Sequence, residues 1–356
     1  GEWKPIEYSG TYGNNGFYLP FKQDYTVEGF STVTWRGNGV NGNYIGGTGF
    51  KPDFTWIKQR SGVYSHVLAD SVRGNGKFMS SSNTGVEDPD ITKFQNFATD
   101  GFTVGTHAGV NSSGQTYVGW NWDMGADTPT GFSAVTYKGS GSVREVSGFG
   151  FSPDLVWIKS LDHTYGHHWT DSVRGAGKDL YSDLTDAEYS NANSLQVFKP
   201  DGFQLGTDNG VNNSIKNYVA WGWDMGNTTA TNTSGSISSQ VRANPTYGQS
   251  IVSYTGNGTA GATVGHGLNS APEMMLVKSR SHAKQWAVYH TSLGNTHSLK
   301  LNDTSASYDN VNRWNDTTPT STVFSLGSSD ESNYSGTNIA YCFHSVTGYS
   351  KFGSYT

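Results

Sequence analysis

Four aspartates are the first residues in this sequence that could do chemistry. Asp70 and Asp123 recur one hundred and one positions later as Asp171 and Asp224. Two carboxylates on either side of a scissile bond are what a glycosidase needs. Two features weigh against hydrolysis. A third, divergent copy carries His344 at the Asp123 position and no aligned aspartate for Asp70. Arg73 and Arg174 follow Asp70 and Asp171 by three residues, so a salt bridge or strand-end hydrogen bonds give these carboxylates a structural role. A non-enzyme is expected, with no catalytic residues and no cofactor.

Other reactive types weigh the same way. Lys58, Lys159 and Lys278 recur at the end of one strand pattern, which a buried ion pair or an aromatic contact would explain. The pairs Trp120/Trp122 and Trp221/Trp223 could stack on a sugar, but they share a face with Val118 or Val219 and read as core. His163, His167 and His168 have a spacing that suits a metal, and Asp183, Asp186 and Glu188 could ligate Ca²⁺. No EF-hand order is present, so solvated loop residues are expected and no metal is assigned. Ser71 beside Asp70, with His66 nearby, is adjacency and not a triad. Phosphate-loop, dinucleotide and zinc motifs are absent. A ligand site is expected where the copies differ, in the loops 59–65 (QRSGVYS), 160–166 (SLDHTYG) and 279–285. The candidate ligand-binding residues are Tyr64, His163, Tyr165, His167 and His282.

The elements that must position these residues follow from the repeat. Residues 50–125 align without a gap on 151–226, with 36 of 76 positions identical, which marks an internal duplication. Its centre is FKPDFTWIK at 50–58 and FSPDLVWIK at 151–159. Period two puts Phe54 and Trp56 on one face and Thr55 and Ile57 on the other. Both faces are largely apolar, so this strand is expected to be central and covered on both sides. Phe30, Thr32 and Thr34 alternate with Val33 and Trp35, and Val118, Trp120 and Trp122 share one face of the last strand. Asp-Gly at 100–101 and 201–202 predicts a hairpin, which the third copy lacks because 318–320 reads Thr-Pro-Thr.

Many short strands without helical periodicity predict an all-β fold, in tandem β-sandwich (jelly-roll or concanavalin-like) repeats of about 100 residues. The expected division is 1–28, an N-terminal arm or the end of a preceding domain; 29–126, repeat one; and 131–226, repeat two. A Ser/Thr/Asn-rich connection follows at 227–246, then a divergent repeat three at 247–348. The last stretch, 349–356, reads as the first strand of a truncated fourth repeat or a terminal arm. Residues 352–355 are expected to pair with the sheet of repeat three or of a neighbouring chain, and 17–19 to pack on repeat one or a partner.

Composition narrows the function classes. Charged residues make up only 15% of the 356, and the net charge of −6 is unclustered. Without a Lys/Arg run, nucleic acid is not expected as a partner. No apolar stretch approaches a membrane span, so no membrane insertion is expected. The one cysteine, Cys342, has no disulfide partner in the sequence. The sequence begins at Gly1 rather than Met, so a processed product or a fragment is expected.

The phrases GFxPDxxWIK, DSVRG, DGFxxG and YVxWxWDMG, followed by SIVSYTGNG, ATVGHGL, APEMMLVK, TPTSTVFSLG and YCFHSVTGYSKFGSYT, resemble a module found in large virion proteins of tailed, often marine, bacteriophages. The module has no known biochemical activity. The resemblance covers roughly 30–356 and implies a tail fibre, adhesin or other surface component of the virion. Its implied partners are other virion subunits and a host surface glycan or protein receptor, and a homo-oligomer is expected. A capsid-decoration protein and a polysaccharide-degrading enzyme are the alternatives.

Overall fold

Alternation along each strand decides which of two cores a side chain enters. In the computed structural model, residues 29–125 and 131–352 are described. Repeat one contains β1 (Phe30–Arg36), β2 (Asn43–Gly46), β3 (Phe54–Gln59), β4 (Val67–Asp70), β5 (Phe94–Ala98), β6 (Gly101–Val104) and β7 (Thr116–Trp122). A larger sheet runs β1-β7-β3-β4 and a smaller one β2-β6-β5, with antiparallel neighbours. Val33, Ile57, Val67 and Tyr117 face the smaller sheet and meet Ile45, Phe94 and Phe102. This is one sandwich core.

The other face of the larger sheet carries Phe30, Phe54, Trp56, Leu68, Trp120 and Trp122. It is buried too, and that is why β3 is apolar on both faces. The larger sheets of repeats two and three send their own inner faces to the same place: Phe132, Trp157, Trp169, Trp221, Trp286 and Tyr341 belong to one continuous cluster with the residues of repeat one. The fold is all-β, built from several sandwiches. Each sandwich keeps a private core and shares a central aromatic one. Burying each large side chain in that centre contributes on the order of 2–3 kcal/mol.

Repeat two follows the pattern with Phe132–Lys138, Arg144–Ser147, Leu155–Ser160, His168–Asp171, Leu195–Lys199, Gly202–Leu205 and Asn217–Trp223, and adds Lys178–Tyr181 and Tyr189–Ser190 at one edge. Repeat three has an eight-stranded larger sheet. Its smaller sheet is reduced to Ala262–Gly265 and Val323–Leu326, and a short helix, Val311–Trp314, occupies the region of the missing hairpin. Trp314 fills the private core there. The stretch 227–246 is more than a connection. Thr229–Asn232 and Ser239–Asn244 form a hairpin that extends the sheet of repeat three through Gln249–Thr255. Its outermost strand is mostly exposed, which explains a Thr/Asn-rich sequence that lacks the usual apolar alternation.

The three repeats close into a ring, because each reaches the one before it through matching contacts. Trp221 Nε1 of repeat two donates to Asp70 of repeat one at 3.2 Å, and the Tyr341 hydroxyl of repeat three donates to Asp171 of repeat two at 2.7 Å. At the third seam Trp120 lies against His290, with ring centroids 6.1 Å apart. A second set runs the same way. His167 contacts the Ser80 carbonyl (3.0 Å), Trp286 Nε1 donates to the Tyr181 carbonyl (2.8 Å) and His66 contacts the Lys300 carbonyl (3.4 Å). Trp56 and Trp157 donate to Nδ1 of His66 and His167, so the neutral rings carry their proton on Nε2 and donate to those carbonyls.

The closing segment reaches a sheet just before the stretch expected to pair. Ser350–Lys351 pairs in parallel with Phe30–Ser31, so the partner sheet is that of repeat one and not of repeat three. Phe352 packs 4.4 Å from Phe30 and 6.1 Å from His290, so it covers the seam between repeats three and one. The expected contacts of 17–19 and 353–355 lie outside the described residues. Among the described residues no helix is long and apolar enough to cross a membrane.

Candidate functional site

The reactive side chains read from the sequence are largely committed to the frame. Asp70 is fully buried, accepts from Arg73 Nε at 2.6 Å and receives the Trp221 indole N–H. Asp171 repeats this with Arg174 and Tyr341. Asp123 and Asp224 accept from the Gly125 and Gly226 amides, each at 2.9 Å, in the turns after the last strands. The three recurrent lysines depart from expectation, since carbonyls hold each of them. Lys58 Nζ donates to the carbonyls of Gln59, Tyr64 and Thr304 at 3.0–3.1 Å. Lys278 donates to Ser279 and, across a seam, to Thr185, while Lys159 donates to Ser160 and His163. Burial pushes all three amines down to about 8. These amines fold the variable loops over the strand ends, and Lys58 and Lys278 also fasten them to a neighbouring repeat.

No metal site forms from the histidines or acids: among the described residues no three His, Cys, Asp or Glu side chains converge on one. His167 and His168 diverge, the first joining Trp157 and the second lying 3.3 Å from Asp179. Asp183 accepts from the His167 amide, and Glu188 pairs with Arg280 at 2.8 Å across a seam.

The loops that differ between repeats lie toward one end of the sheets. In repeat one, Phe30, Trp122, Phe54 and Asp70 stand in one row, next to Ser350. Trp35, Tyr117, Gln59 and Val67 lie toward the opposite end, where loop 60–66 crosses. At that end a cleft of about 370 Å³ opens between residues 64–67, the segment 78–88 and His107. Tyr64 is 40% exposed and meets the His107 ring edge-on at 6.0 Å. Lys93 Nζ lies 3.7 Å over the Phe78 ring and 4.0 Å from Asp90. His107 Nδ1 accepts from the Gly109 amide at 2.9 Å. Desolvation and the nearby Lys93 hold its pKa below the usual range, so the neutral ring keeps a donor on Nε2.

Repeat three has a cleft of about 360 Å³ in the matching place, with Lys300, Ser305, Tyr308, Arg313 and Glu331 in its wall. Arg313 is buried there, bonded to Ser329, to Glu331 at 2.9 Å and to the Tyr308 hydroxyl at 2.5 Å. In repeat two His168 stands where repeat one has Val67, and Tyr181 where it has Ser80. Their rings pack 4.9 Å apart.

The five candidate ligand residues fare differently. Tyr64 lines the cleft of repeat one. His163 and Tyr165 stack at 3.9 Å, and exposed His282 lies 4.0 Å from Tyr334. His167 is fully buried with both ring nitrogens engaged, so it belongs to the frame and not to the surface. Sequence reasoning did not single out Phe78, Lys93, His107, Arg313 or Glu331. Their signal is substitution inside otherwise matching stretches, as where His107 stands against Asp208.

The family described as Domain of unknown function (DUF7483) matches residues 26–131 and again 127–356. The chain belongs to this family. No curated protein matches the sequence. The two DUF7483 matches divide the chain into repeat one on the one hand and repeats two and three on the other. In this DUF7483 chain those parts share one central core.

Proposed function

We propose that this chain is a non-enzymatic structural and adhesion protein of a bacteriophage particle, a tail-fibre or tail-associated component that turns its loop-bearing face toward a receptor on the host surface. The observation that carries this reading is the polarity of the ring. Phe30 and Ser350 lie at one end of the sheet of repeat one, and the cleft and its variable loop lie at the other. A module joined to a particle through one end and presenting loops from the other is suited to attachment. The phage assignment rests on the resemblance of the motifs. The non-enzymatic part is supported by Asp70 and Asp171, whose buried carboxylates are engaged by arginine and by the next repeat.

The test is binding of the labelled, purified protein to host cells, combined with incubation on host surface polysaccharide. Saturable binding without release of reducing ends or unsaturated sugars is expected. Turnover that Asp70→Asn or Asp171→Asn abolishes would make the protein a polysaccharide-degrading enzyme. No cell binding, together with density for the chain within the capsid lattice, would make it a decoration protein.

A further inference from the structure

We infer that the clefts of repeats one and three are a pair of binding sites for uncharged sugar units, and that repeat two lacks a third because its own side chains fill the place. The inference rests on the receptor-presenting reading and names its ligand.

The two clefts are the same site by position. Ser80, Gly85, Val86, Asp88 and Lys93 line the first. Lys300, Ser305, Ala306, Tyr308 and Arg313 line the second, and each stands 220 residues after its counterpart. At about 370 and 360 Å³ both fall in the lower part of the range of small-ligand pockets, about 300–1,000 Å³.

The charges select the ligand class. In repeat one Lys93 stands 4.0 Å from Asp90, and Asp88 is on the same wall. In repeat three Arg313 pairs with Glu331 at 2.9 Å and Lys300 with Asp303 at 3.4 Å. An anionic ligand would therefore meet a carboxylate beside every cation, and a cationic ligand the reverse. Hydroxyl groups donate and accept, so they can bond to both members of such a pair. A donor remains to be met, since His107 lines the first cleft and offers Nε2–H. Each cleft also carries aromatic surface. Tyr64 and Phe78 serve in the first, and in the second the Tyr308 ring has Lys300 at 5.7 Å and Arg313 at 5.9 Å. Aromatic surface beside paired polar groups suits a ring with apolar C–H faces and hydroxyl edges.

Repeat two shows what closes the site. Gly109 lines the cleft of repeat one, and at its counterpart Gly210 an added Cβ would lie 2.3 Å from His168 Nε2. The His168 ring thus occupies the matching space, backed by Tyr181 and held by Asp179.

The experiment titrates the whole protein by calorimetry with soluble oligosaccharides built of neutral hexoses or N-acetylhexosamines, and with sialic- or uronic-acid oligosaccharides. Binding of at least one neutral sugar with two sites per chain is expected, with acidic sugars bound more weakly. Val86→Trp should block the first cleft and Ala306→Trp the second. Each is expected to reduce the stoichiometry to one, and together they should abolish binding at an unchanged melting temperature. The pair His168→Val and Tyr181→Ser should raise it to three. Preference for acidic sugars, a single site, or binding that survives both blocks would overturn the inference. If no sugar binds but host cells are still bound saturably, the sugar assignment fails and a protein receptor takes its place. If cells are not bound either, the receptor reading itself fails.

Discussion

At the residue scale, Asp171 carries the most consequence for stability. It is wholly buried, holds Arg174 and receives a hydrogen bond from Tyr341 of the next repeat. Removing its charge leaves the buried Arg174 guanidinium only the longer contact with Glu188, at 3.5 Å, so Asp171→Asn is expected to cost about 3 kcal/mol, read as a lower urea midpoint. The lysine trio makes a prediction of another kind. Their amines titrate near 8 in the fold against 10.5 when free. Between those values the unfolded chain holds more protons, so stability rises with pH across that window, by up to about 1.4 kcal/mol per pH unit for each lysine. Tyrosines held above their usual range, Tyr254 and Tyr341 among them, oppose the rise once free tyrosine ionises near pH 10. The urea midpoint is therefore expected to be higher at about pH 9.5 than at about pH 7.5. Replacing Lys58 with Met should shrink that difference, since one of three equivalent groups is lost.

At the element scale, the hairpin β5–β6 and its copy in repeat two depend on a glycine with no room for a side chain. Gly202 has φ +152°, and a Cβ there would lie 2.0 Å from the Val146 carbonyl oxygen. Gly202→Ala is expected to destabilise the protein by about 2 kcal/mol or more, seen as a lower thermal midpoint. This hairpin was legible in the sequence because Asp-Gly has a local meaning, and so was its loss in repeat three. The two-sided burial of β3 was legible from FTWIK for the same local reason. What covers its second face was not, because Trp221 meets Asp70 across 151 residues and a periodicity says only that a face is covered. The threonines and asparagine of Thr229–Asn232 hid a strand, since an exposed edge strand shows no apolar alternation. The clefts escaped notice for a related reason: the first is open where Val67 and Ser80 are small, and small residues carry no chemical signature. The recurrence of Lys58 was visible, but its carbonyl partners belong to the backbone and leave no trace in residue types.

At the scale of the whole molecule, the ring is expected to unfold as one unit, and acid is the lever that shows it. Burial lowers His66 and His290 to about 3 and His266 to about 4, and holds His167 well below its free value. Below about pH 6.5 the unfolded chain takes up protons that these rings refuse. Stability therefore falls as pH drops from about 6.5 toward 3, by up to about 1.4 kcal/mol per pH unit for each ring. Asp154, raised to about 6 by burial, and Asp183, raised for the same reason, work the other way, but they are two groups against six, since His107 and His344 are held low as well. His66 and His290 stand at the seam between repeats three and one, and His167 at the seam between one and two. Protonation thus strikes contacts that close the ring. An opened ring exposes the central aromatic cluster of all three repeats, and no single sandwich retains both covers of its larger sheet. Tryptophan fluorescence, which reports that centre, and far-ultraviolet circular dichroism, which reports the strands, are thus expected to change together in a single acid transition. His66→Gln and His167→Gln should move its midpoint to lower pH, since a neutral amide has no proton to take up. Separate transitions for the two signals would mean that the sandwiches stand alone once the centre is lost.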